Sequence, residues 1–280
     1  MKYTSNNAKN NKGTNSTGNP KTSQKTSSSK KNKKKSKIKH KKALITLCII
    51  VGVILVLAIV FIAYFCTYYH AVGAEEYMNS SDTVTVSETD FGYFFDGEGE
   101  EAALIFYPGA RVEATAYTPL MIELAEEGID CFLVEMPLRM AFFGKDKALD
   151  IVDSYDYDTW ILSGHSLGGA MAANCAADNP DSFDGLLLLA AYPSKDLSDT
   201  DLWVISLYGS EDEVLDTDKL EEARDLMPED YTEICIDGGN HSQFGSYGDQ
   251  KGDGEASLSA DAQRSITIDA VWNKVFMQSE

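Results

Sequence analysis

Hydrophobicity divides the chain into three regimes. Residues 1–42 carry few apolar side chains, residues 43–65 form an uncharged block of 23 built mostly from Leu, Ile, Val, Ala and Phe, and the rest alternates short apolar runs with mixed stretches. At 1.5 Å per residue the middle block is long enough, as a helix, to cross a hydrocarbon core of about 30 Å. Beyond it, runs at 83–87 and 91–95 predict an opening hairpin, and runs at 103–107, 130–135, 159–163, 185–190, 203–207 and 232–236 predict further strands. Helical composition falls at 115–127, 167–178, 216–226 and 260–277. Near-continuous apolar strands alternating with helices are the pattern of a mostly parallel sheet covered on both faces, an α/β fold.

The polar regime at the start holds 14 lysines and no acid, which predicts a disordered basic tail over 1–42. Lys39, Lys41 and Lys42 precede the apolar block, and Tyr64, Tyr68 and Tyr69 fall near its far end as interfacial aromatics. The positive-inside rule then predicts a single-pass protein of the cell membrane, its N-terminus cytoplasmic and its main domain extracellular. A cleaved signal peptide is the competing reading, since Ala71-Val72-Gly73 offers small residues for cleavage, but its apolar region would be shorter, about 7–15 residues. Residues 66–82 are expected to form a stalk, and 83–280 one domain.

After residue 42 only 10 bases remain against 44 acids. So acidic a domain repels nucleic acid and other anionic polymers. Five scattered cysteines make neither a disulfide framework nor a zinc site, and Cys131, Cys175 and Cys235 read as small buried hydrophobes. Asp249, Asp253 and Glu255 miss the spacing of a calcium loop, so no metal and no cofactor is expected.

Chemistry concentrates at Gly164-His165-Ser166-Leu167-Gly168, which lies between a predicted strand and a predicted helix. A serine two residues from glycine on either side is how a sharp strand-to-helix turn presents a nucleophile. Such a serine needs a histidine to take its proton and a carboxylate to orient that histidine. The chain has four histidines: His40 and His70 flank the apolar block, and His165 adjoins Ser166 in the turn, where its ring is expected to point away. His241, in the loop after the last strand, is left as the base. Asp212, after the strand at 203–207, is the first choice of acid, with Glu211 and Glu213 as alternatives. Two backbone N–H groups must hold the oxyanion; Leu167 supplies one, and Ala110, or failing it Arg111, the other.

Phe106 to Gly109 followed by Val112, Glu113 and Tyr117, then Met136 to Leu138 with Ala141 to Phe143, Gly164 to Gly169, Tyr208 to Asp212 and Gly238 to Gly245, resemble the α/β-hydrolase fold. Within it they are similar to the compact family 5, laid out like the dienelactone hydrolases. Ala110 departs from the second glycine common there. The resemblance implies Ser166, Asp212 and His241 as triad and names no substrate. Only 46 positions separate Ser166 from Asp212, too few for a large lid, and residues 136–144 and 245–254 are expected to wall an open pocket. The resulting expectation is a membrane-anchored serine hydrolase acting on a small ester or acyl substrate; an acyltransferase with the same triad and a non-catalytic surface protein are the alternatives.

Overall fold

The computed structural model describes residues 25–99 and 101–277. It divides into two compact units, 1–61 and 62–280, and each is described by itself.

The first unit is helical. Helix α1, Lys25–Cys66, contains the predicted span and begins 18 residues before it. Residues 25–42 are therefore helical rather than disordered, and residues 1–24 lie outside the described residues. No proline or glycine occurs between Lys21 and Lys42 to stop a helix propagating backwards from the apolar run. The described large apolar side chains of this unit are exposed.

The second unit is built on one eight-stranded sheet in the order β1-β2-β4-β3-β5-β6-β7-β8. In chain order its elements are β1 (Thr85–Thr89), β2 (Gly92–Asp96), β3 (Ala102–Tyr107), α2 (Thr118–Glu126), β4 (Ile129–Val134), α3 (Lys147–Val152), β5 (Thr159–His165), α4 (Leu167–Asp178), β6 (Gly185–Leu189), β7 (Trp203–Gly209), α5 (Thr217–Ala223), β8 (Tyr231–Ile236) and α6 (Ala260–Trp272). Only β1–β2 and β2–β4 pair antiparallel; from β4 to β8 every pairing is parallel. All eight predicted strands are present, whereas α3 was not foreseen. Just two of its six residues, Ala148 and Ile151, are buried, too few to show a helical period.

Alternation along the strands sends successive side chains to opposite faces. Leu104 and Phe106 join Leu120, Leu124, Ile268 and Val271 under α2 and α6. Ala103, Ile105 and Tyr107 join Ala172, Ala173 and Ala176 under α4. The small residues of α4 let that helix lie close on the sheet, which fixes where its first residue sits. Cys131 and Cys175 are buried as expected, but Cys235 is exposed: β8 is the edge strand, and its alternate side chains face outward.

The expected stalk is part of the domain. Tyr69 forms a parallel bridge with Val112, the Val72 N–H donates to Ser246 O at 2.8 Å, and Ala74 is buried. A short 3-10 turn, Glu75–Met78, follows. Tyr69 and Tyr77 supply the apolar contacts that a free stalk would lack.

Candidate active site

The carboxyl ends of the parallel strands bring the predicted residues to one edge of the sheet. Ser166 follows β5 directly and caps α4 with φ 54° and ψ −122°, a backbone that a non-glycine residue adopts only under constraint. Two close approaches supply the constraint. A Cβ on Gly164 would stand 2.5 Å from the Gly168 carbonyl carbon, and one on Gly168 would stand 2.0 Å from Tyr107 O. The Ser166 N–H donates to Leu189 O at 2.9 Å, tying the turn to β6.

Asp212 and His241 meet in the interior. His241 Nδ1 lies 2.8 Å from Asp212 Oδ2, and both side chains are almost wholly buried. The other carboxylate oxygen, Oδ1, accepts from the N–H groups of Val214 (2.9 Å) and Leu215 (2.8 Å). Three donors leave that carboxylate well satisfied, and it orients the His241 ring through Nδ1. Glu211 and Glu213 are exposed and make no contact of this kind.

The His241 loop is held from two further sides. Asp253 accepts from the N–H groups of His241 (3.2 Å) and Ser242 (2.8 Å). Gln263, from α6, exchanges two hydrogen bonds with the Asn240 backbone, at 3.1 and 2.9 Å. Neither role was foreseen for Asp253 or Gln263: a carboxylate 12 positions away and an amide 22 away carry no local signal.

Ser166 and His241 are not joined. No hydrogen bond links Ser166 Oγ to His241 Nε2, and that nitrogen is buried with no partner among the described residues. His165 does not point away from the site as expected. Its ring is buried 4.6 Å, centre to centre, from that of His241.

The loop after β3 is wired into the same interior. The Gly109 N–H donates to the Tyr117 hydroxyl at 3.1 Å, and that hydroxyl lies 2.8 Å from His165 Nδ1. The phenol oxygen thus accepts from Gly109 while the same hydroxyl is hydrogen-bonded to His165 Nδ1. Burial, and then the neighbouring His241, hold the His165 pKa well below the usual 6.5, so the ring is neutral; burial pushes the Tyr117 phenol up, so it keeps its proton. Sequence reasoning noted Tyr117 without giving it a task.

This wiring sorts the N–H groups of the loop. Gly109 is taken by Tyr117, and Arg111 donates to Arg139 O at 2.9 Å. Arg111, the second choice for the oxyanion, is thus occupied. Among the described residues, the N–H groups of Ala110 and of Leu167, the first residue of α4, have no acceptor.

The segment leaving α1 braces the same loop. Tyr69 N–H donates to Arg111 O at 2.7 Å and Glu113 N–H donates to Tyr69 O at 2.9 Å. The Arg111 guanidinium donates to Thr67 O, at 2.7 Å from Nε. The Lys251 N–H reaches the Tyr69 hydroxyl at 3.2 Å, so the segment touches the loops on both sides of the site.

Most of residues 245–254, though not Tyr247, Lys251 or Gly252, line a hollow of about 630 Å³ together with Asn240, Ser242 and Gln243, and Ser166 is not in its lining. Among the described residues, no group of three or more His, Cys, Asp or Glu side chains converges to hold a metal ion.

Residues 103–265 match the model of the alpha/beta hydrolase family. A solved structure, the predicted CIB-like hydrolase from Thermoplasma acidophilum, shares the fold with a TM-score of 0.52 and 14% identity, over 68% of this chain and 99% of that one. A comparison with curated proteins finds no match.

Proposed function

Because the chain belongs to the alpha/beta hydrolase family, we propose that it is a serine hydrolase, anchored in the cell membrane by α1, that cleaves esters or related acyl compounds at Ser166. The observation that carries this reading is the buried Asp212–His241 pair, whose Nε2 has no partner, at the same sheet edge as the strained Ser166. Ser166 Oγ attacks the acyl carbon while His241 Nε2 takes its proton, and Asp212 stabilises the imidazolium that forms. The N–H groups of Leu167 and Ala110 receive the oxyanion. Collapse expels the alcohol, protonated by His241, and water then releases the acyl group by the same route. The Ser166–His241 hydrogen bond is the one contact the resting structure lacks, and such bonds commonly tighten only when substrate binds.

Retention of α1 is favoured by the docking of residues 67–72. A leader cut within 71–73 would take away Tyr69 and, with it, the bonds to Arg111 and Glu113. The positive-inside rule places the domain outside the cell.

A fluorophosphonate probe tests the chemistry. The full chain in detergent should be labelled on Ser166 and the Ser166→Ala variant should not; a native protein that resists the probe refutes the enzyme reading. Protease added to wall-free cells should digest the domain and spare the lysine-rich tail, and the opposite pattern reverses the topology.

A further inference from the structure

We infer that the substrate is an amphiphilic ester drawn from the outer leaflet, and that Leu138, Phe142 and Phe143 are the side chains that enter the bilayer surface to receive it. The inference rests on the hydrolase and anchoring readings above and names the substrate class of that same site.

Leu138, Phe142 and Phe143 are 48%, 46% and 49% exposed, the densest group of exposed large apolar side chains in the second unit beyond its first few residues. They belong to the loop after β4, at the edge of the sheet where Ser166 sits, and the turn carrying Phe142 and Phe143 packs on α4, whose first residue is Leu167. A soluble domain would turn such residues inward or replace them. This loop instead holds them out at a cost: Leu138 and Arg139 have φ of 54° and 56°, two consecutive non-glycine residues in the left-handed region. The Arg111 N–H to Arg139 O bond clamps that strained pair to the loop bearing Ala110.

What covers these side chains follows from their neighbour. The Phe143 ring lies 6.5 Å from that of Phe65, the last residue of the 23-residue apolar block. If the block spans the bilayer, Phe65 stands where hydrocarbon meets head groups, and Phe143 stands at the same depth. Two arginines share that level. The Arg139 guanidinium lies 3.5 Å from the centre of the Tyr68 ring and that of Arg111 lies 4.6 Å from the centre of Tyr64. Tyrosine at an interface keeps its ring in the apolar layer and its hydroxyl in water. Neither arginine has a carboxylate partner among the described residues, in a chain with 44 acids, so both positive charges are open to anionic head groups. An apolar lip beside Phe65 and the nucleophile, flanked by guanidinium groups that lack a carboxylate partner, suits an ester with an acyl chain in the membrane and its carbonyl at the surface.

The test uses the full chain reconstituted in phosphatidylcholine vesicles, with 4-methylumbelliferyl oleate in the bilayer and 4-methylumbelliferyl acetate in solution. The triple variant Leu138→Ser, Phe142→Ser, Phe143→Ser should lose at least about tenfold in oleate turnover and stay within about twofold on acetate, since it returns half-exposed apolar surface to water and leaves Ser166, Asp212 and His241 untouched. An independent readout is the Phe142→Trp variant, whose added indole emission should be quenched by brominated phosphatidylcholine. Equal losses on both esters, an unchanged ratio, acetate turnover without oleate turnover in the unaltered protein, or absent quenching each overturn the inference. If neither ester is hydrolysed and the fluorophosphonate fails as well, the fault lies with the hydrolase reading; if the chain leaves the membrane fraction, it lies with the anchor.

Discussion

Replacing Tyr117 with Phe removes one oxygen atom from a fully buried ring and leaves the ring's own packing against Phe106 intact. Two polar groups lose their partner at once. The Gly109 N–H has no other acceptor and His165 Nδ1 no other partner among the described residues. A buried group left unsatisfied costs about 1–3 kcal/mol, so the pair implies a loss of roughly 2–6 kcal/mol, against a typical total stability of about 5–15 kcal/mol. For a domain of this size that is a fall in melting temperature of roughly 4–24 °C. Differential scanning calorimetry of the full chain in detergent, at a pH above 7 where His165 is neutral in both states, measures it. Activity should fall as well, because Gly109 sets the position of Ala110. A melting temperature within about 2 °C of the parent would refute the reasoning, since it would mean that the phenol holds neither group.

Four further outcomes follow from the geometry. Asp212→Asn should lower kcat by about 10⁴ with little effect on folding, because an amide can still accept from Val214 and Leu215 but its NH₂ faces the wrong His241 tautomer; steady-state kinetics on a soluble ester check it. Ser166→Gly should be inactive yet more stable than Ser166→Ala by about 1 kcal/mol, since glycine accepts φ 54° without strain; equal melting temperatures would count against strain at the turn. Gly168→Ala should fail to accumulate as folded protein, because its Cβ would stand 2.0 Å from Tyr107 O, and soluble active protein would contradict the close approach. Stability should fall as pH drops from about 6.5 to 5: His165 is held well below its ordinary value when folded, so the unfolded chain binds a proton that the folded chain refuses, at up to about 1.4 kcal/mol per pH unit. In His165→Gln that slope should flatten by one proton.

The strands were legible because parallel strands buried on both faces are written as continuous apolar runs, as 185–190 and 203–207 show, and such runs have few other uses. The strand-to-helix turn at Ser166 was legible because it needs glycine at 164 and 168 for reasons of space. Asp212 emerged from three adjacent carboxylates by chain order, and its bond to His241 separates it from Glu211 and Glu213. The supporting contacts were not legible. Tyr117 meets His165 across 48 positions, and Asp253 meets His241 across 12. No periodicity records a side chain that serves a backbone N–H on another loop. Residues 66–82 misled for a related reason: their polar composition suits a stalk, while their docking depends on backbone bonds, which any sequence can make.

The parallel bridge between Tyr69 and Val112 has a practical side. It makes the stretch that follows α1 a component of the fold rather than a leash. A cut within residues 70–73 would part Tyr69 from the domain, and with it the backbone bonds that steady Arg111 and Glu113. A separated domain that keeps its architecture has to carry this stretch with it, so under the anchored reading proposed above the site would stay complete only while residues 67–72 remain attached to it.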